Sequence, residues 1–243
     1  MYANLAASQA NTAFTNLATA EVTDQTTLNK AMEDSLTAQD YVKKVNKYEP
    51  DADSTAIANG ATALSQAVIS ALQMKLAQHL ITEAIDDGRN ETKAREAAYY
   101  AELAVKTATA DKTGARYYAA KVDDDTPPMA KTLKDKALSL IGGESGSLYP
   151  GEIVLIDTNP DGSDKKGSIE DAKNEIFDEF GPGKTFPNID PENPNPTQSG
   201  GDDGEMITDT PPINPEYTLK RKDTSKNNIT VTATTDGVTV CLE

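Results

Sequence analysis

The chain has 243 residues and a formal net charge of −16, which argues against a nucleic-acid binder, since that needs a basic footprint, and against adhesion to anionic membranes. Hydrophobic content is 37%, with 5% aromatics and no Trp, against roughly 45–50% apolar residues in ordinary globular chains when Gly is counted. Many apolar positions are Ala, so the isolated core is expected to be thin, with helices packed closely or apolar surface completed by other subunits.

All but one of the 13 prolines, and all but three of the 15 glycines, follow residue 126. The first part therefore reads as long helices and the rest as short elements joined by extended segments. The N-terminal residues carry no basic region and no long apolar run, and no stretch approaches a membrane span, so neither a signal peptide nor a transmembrane segment is expected. Cys241 is the only cysteine. It cannot form an intrachain disulfide and reads as a small apolar strand residue.

Residues 4–48 are rich in Ala, Thr, Asn and Gln. Phe14, Leu17, Leu28, Ala31, Ala38, Val42 and Val45 follow a heptad track interrupted at Glu21, Asp24 and Ser35. This predicts a long helix with a weak coiled-coil seam, ending before Pro50. Asp51 or Asp53 caps the next helix. In it Ile57, Leu64, Val68, Leu72, Leu76 and Leu80 form the strongest apolar stripe of the chain, expected at the centre of a bundle. Asp86–Asn90 reads as a turn. A third helix runs over 91–110 with a face of Ala94, Ala97, Ala98, Ala101, Ala104 and Ala108. Gly114 interrupts or bends it, 115–122 continues helical, and a short helix over 129–141 ends at Gly142-Gly143. The spacing of Gly60, Gly88 and Gly114 reads as helix ends.

Beyond the bundle, 151–157 reads as a strand. Ser168–Phe180 reads as a capped helix with Ile169, Ala172, Ile176 and Phe180 on one face. Residues 186–216 carry seven acidic side chains, several prolines and no basic residue, the composition of an extended arm. Ile229–Thr234 and Val238–Leu242 flank Thr235-Asp236-Gly237, a strong hairpin signal. Tyr217–Lys222 is a further candidate strand. The expected fold is mainly α: a helical bundle over 1–143, a strand–loop–helix segment over 144–185, an acidic proline-rich arm over 186–216, and a β-hairpin tip over 217–243.

The chemistry-bearing candidates are few. Asp157-Thr158-Asn159-Pro160-Asp161-Gly162 has the D-x-N-x-D-G spacing that gathers oxygens around one point. It resembles the first half of EF-hand and dockerin-type calcium loops. Ser168 stands where such a loop needs its bidentate Glu, and Asn-Pro-Asp-Gly is also an ordinary turn sequence. Asp157, Asn159 and Asp161 are therefore either calcium ligands or an acidic turn. His79 is the sole histidine; any Ser-His, Cys-His or zinc chemistry would need it, and a histidine at a helix contact is the plainer reading. Gly181-Pro182-Gly183-Lys184-Thr185 lacks the first glycine of a phosphate loop. Lys220-Arg221-Lys222 is the only basic cluster, suited to an acidic surface of a neighbouring copy.

The stretch Ala10-Asn11-Thr12-Ala13-Phe14-Thr15-Asn16-Leu17-Ala18-Thr19-Ala20, with the Thr/Asn/Gln-rich heptads that follow, resembles coiled-coil segments of phage and virus structural proteins. The layout of helical base, arm and small β tip is similar to that of decoration, fibre and connector-type virion proteins. The resemblance implies many copies, symmetric assembly and no catalysis. The sequence thus points to a non-enzymatic structural subunit of a virion, a homo-oligomer whose partners are copies of itself and other structural subunits. The alternative is an extracellular or cell-surface binding module, stabilised by calcium through Asp157, Asn159 and Asp161.

Overall fold

The computed structural model describes residues 1–19, 25–123, 125–142, 153–180, 229–234 and 237–242. Of these, 75% are helical, so the chain is mainly α, as expected. It divides into two units, Met1–Ser199 and Gly200–Glu243.

In the first unit the N-terminal region forms two helices where the heptad track predicted one. Helix α1 spans Tyr2–Thr19 and α2 spans Gln25–Tyr48. The backbone N–H groups of Tyr2 and Ala3 donate to the Glu49 carboxylate at 2.9 and 3.2 Å, and Asn16 Nδ2 donates to Asp34 Oδ2 at 2.9 Å. The start of α1 therefore lies at the end of α2, and the two run antiparallel. The reason lies in the seam. A single helix would carry Glu21 and Asp24 on its apolar face, and those residues fall between α1 and α2. Folding back buries Ala6, Ala10, Ala13 and Leu17 in the same core as Ala31 and Ala38. Ser35, the third interruption, is fully buried, and its hydroxyl donates to the Ala31 carbonyl at 2.9 Å.

Helix α3, Ala52–Asp86, begins after Asp51, whose side chain accepts from Ser54 N. It packs against α1 and α2, and against α4 (Glu91–Thr109), α5 (Ala115–Ala119), α6 (Pro128–Leu140) and α7 (Ile169–Asp178). A helix surrounded in this way is buried along most of its length, and Leu64, Val68, Met74, Ala77 and Ile81 are all fully buried. Its neighbours come close because the contact residues are small. Ala94, Ala97, Ala98, Ala101, Ala104 and Ala108 of α4 are fully buried, and Ser70 Oγ crosses to the Ala104 carbonyl at 2.7 Å. Gly60 is not a helix end. It lies inside α3, and a Cβ there would stand 2.8 Å from the Ala130 carbonyl oxygen of α6. Gly88 does close α3, with φ +61, and Gly114 is the N-cap of α5.

The strand–helix segment shares this core. Strand β1, Val154–Thr158, pairs antiparallel with β2, Asp164–Lys166. Ile153, Leu155, Ile169, Ala172 and Ile176 belong to the same buried cluster as α3 and α4. Helix α7 opens with the expected Ser168 cap, completed by Asp171 as a capping box.

In the second unit, β3 (Ile229–Thr234) pairs antiparallel with β4 (Gly237–Leu242) over six residue pairs without a bulge. The arm over 186–216 and the candidate strand over 217–222 lie outside the described residues.

Candidate functional site

The D-x-N-x-D-G residues run from the end of β1, which holds Asp157 and Thr158, into the turn that joins it to β2. Gly162, with φ +81, makes the reversal, and Asn159 N donates to the Ser163 carbonyl at 2.9 Å. The side chains close on the turn itself. Asp161 Oδ1 accepts from Ser163 Oγ at 2.6 Å and from Ser163 N at 3.0 Å. Asn159 Nδ2 donates to Ser163 Oγ and to the Asp164 carbonyl, both at 3.1 Å. Asp157 stands 3.9 Å from Lys165 Nζ. The Ser163 hydroxyl, and then its amide, hold the Asp161 carboxyl below the usual aspartate range. Asn159 and Asp161 lie in the turn and bond within it, while Asp157 stands at the end of β1 beside Lys165. Among the described residues no group of three or more His, Cys, Asp or Glu is placed to hold a metal ion.

His79 is partly exposed on α3, with Nε2 3.3 Å from Glu83 Oε1; Glu83 also meets Lys93 at 3.4 Å. This is a surface charge chain linking α3 to α4. In each adjacent tyrosine pair, Tyr99–Tyr100 and Tyr117–Tyr118, the rings meet edge to face at 5.5 and 5.3 Å. The loop over 181–185 and the basic run over 220–222 lie outside the described residues.

Two features were not legible in the sequence. Glu49, just past α2, caps α1 from the far end of the helical hairpin: its carboxylate takes the Met1 ammonium at 2.7 Å as well as the first two helical amides. The ammonium and the Tyr2 amide hold it below the usual glutamate range. Beside it Tyr2 stacks on Tyr41 at 6.4 Å, with Lys44 Nζ 5.0 Å from the Tyr41 ring centroid. Glu175 and Gln78 act on β1. Glu175 accepts from Ile156 N at 2.8 Å and Asp157 N at 3.4 Å, and Gln78 Nε2 donates to the Val154 carbonyl at 2.7 Å. No local spacing marks these residues; only the packing of α3 and α7 against β1 brings them there.

The second hairpin, which the sequence predicted, has a regular register. It pairs Ile229 with Leu242, Val231 with Val240 and Ala233 with Val238. Residues two apart share a face of a strand, so these six apolar positions fall on one face. Thr230, Thr232, Thr234, Thr239 and Cys241 fall on the other. Neither strand contains a charged residue. No known protein family, characterised protein or solved structure matches the chain.

Proposed function

We propose that this chain is a non-enzymatic structural subunit of a symmetric assembly, of the kind from which virions are built, with residues 186–243 reaching over a neighbouring copy. The observation that carries this reading is the second hairpin. Two strands are marginal alone, and a unit of 44 residues is at the lower limit for a self-sufficient core; this one begins at Gly200 and ends at Glu243. An element with an apolar face and no charge in its strands gains stability by docking. The segment over 186–216 is acidic and proline-rich in composition, which suits an arm of that kind. Lys220-Arg221-Lys222 supplies a basic run in a chain of net charge −16, which fits an acidic surface of a second copy. The helical unit supports a scaffold role: its core is closed by Ala and Gly contacts, and its sole histidine is engaged with Glu83.

Light scattering on the full chain over a range of concentrations, combined with limited proteolysis, tests the proposal. The expected result is a discrete oligomer in which the segment over 186–216 resists protease. A monomer with that segment cleaved at every concentration would overturn it.

A further inference from the structure

We infer that the β3–β4 hairpin associates edge to edge with the same hairpin of a second copy, giving a sheet of four strands. This rests on the assembly reading above and specifies the contact by which it is made.

A hairpin presents two open edges, and each edge is a row of backbone donors and acceptors that can template another strand. Proteins that must stay apart blunt such edges with charge, proline or cover. Ile229–Thr234 and Gly237–Leu242 contain neither charge nor proline. Both are six residues long, rich in Val, Ile and Thr, and paired without a bulge, so no bulge within the strands twists the edge away.

The choice of partner follows from the other strands of the chain. The outer side of β1 is taken by Glu175, which binds the Ile156 and Asp157 amides, and by Gln78, which binds the Val154 carbonyl. Strand β2 is three residues long, Asp164-Lys165-Lys166, every one charged and exposed. Neither offers an uncharged edge six residues long. Among the described strands, the edges that match β3 and β4 in length and chemistry are those of β3 and β4 in another copy. Pairing like strands about a two-fold axis makes an isologous contact that closes on itself. It also raises two strands, which are marginal in water, to four, with the apolar positions of both copies continuous on one face.

The test uses four full-length variants: Thr232→Lys, Thr232→Glu, Thr239→Lys and Thr239→Glu. Thr232 and Thr239 are partners in the register on the face opposite the apolar one, so the apolar positions are kept. Mass is read by sedimentation equilibrium, with helical circular dichroism as the control on the rest of the fold. At one of the two edges, the Lys variant alone and the Glu variant alone are expected to associate at least about tenfold more weakly than the parent, because like charges face each other across the two-fold. An equimolar mixture of that Lys and Glu pair regains the parental mass. If all four variants keep the parental oligomer, the inference is wrong and the assembly reading stands. The same holds if Lys strengthens association, Glu weakens it and mixing restores nothing, the signature of docking on an acidic body. If the parent chain is itself monomeric throughout, the assembly reading fails, and this inference with it.

Discussion

The described residues include two β-hairpins of opposite design. The β1–β2 hairpin is small, irregular in register and charged along β2, and its outer strand is covered by Glu175 and Gln78. It is held by what it packs on: Leu155, at 7% exposure, is its anchor in the helical core. The β3–β4 hairpin is regular, six pairs long and uncharged. The first behaves as a cover strip on a bundle, with every open edge blunted. The strands of the second carry none of that charge and pair without irregularity. Solubility alone would favour charge on both, so the contrast is the one on which the proposed association rests.

The largest expected effect removes the anchor. Leu155→Ala deletes a buried side chain under β1, and such truncations cost about 2–5 kcal/mol. Thermal unfolding of the helical unit should shift down by several degrees, while association through β3–β4 is unchanged below the transition. An unshifted melting temperature would mean that β1–β2 stands without the bundle, and the comparison would lose its first half. Next in size, Glu175→Ala leaves two backbone N–H groups of β1 without their carboxylate partner. Because the contact is exposed, the stability loss should be near the ordinary hydrogen-bond value, about 1 kcal/mol. The more telling readout is a new concentration-dependent association, as β1 comes to resemble β3 and β4. Retention of the parental mass at every concentration would show that the Glu175 contact does not guard the edge.

The helices were legible because each carried its own punctuation. Asp51, Asn90 and Ser168 cap α3, α4 and α7, and Gly88 and Gly142 take positive φ where α3 and α6 end. The D-G signal and alternating pattern gave β3 and β4 directly. The fold-back of α1 on α2 was harder to read, since the heptad spacing passes unbroken through Glu21 and Asp24 and only charge interrupts it. Gly60 misled because a glycine at a helix end and one at a close helix crossing look alike in sequence; the carbonyl of Ala130, 70 positions later, decides between them. The site was less legible than the fold. The spacing of Asp157, Asn159 and Asp161 was legible, while the hydrogen bonds of Asn159 and Asp161 to Ser163 were not. The protection of β1 depends on residues from two distant helices.

A smaller effect comes from stripping charge from β2. Lys165→Thr with Lys166→Val changes two exposed positions, so stability should move by no more than about 0.5 kcal/mol. If charge is what blunts this edge, the double variant should still show slow self-association near its melting point, where Glu175 begins to release β1. Combined with Glu175→Ala, association should appear at lower temperature than with either change alone. Strict additivity of the two effects would mean that the two edges are guarded independently.

The smallest effect is acid. The Asp161 carboxyl lies below the usual aspartate range because Ser163 Oγ and N donate to its ionised form. A depressed carboxyl stabilises the fold fully above the ordinary aspartate range, where the unfolded form is also ionised. That contribution is lost as pH falls through the lower, folded value. Acid should therefore loosen the β1–β2 turn, and the Ser163 amide resonance should titrate with an apparent pKa beneath that of an ordinary aspartate. Asp161→Asn keeps an acceptor oxygen and should hold the turn while abolishing the titration. The strands of β3–β4 contain no carboxylate, so their amide resonances should stay level over the same range. If those resonances move with Ser163, the two hairpins share one titrating environment and the contrast between them is not an intrinsic property of their strands.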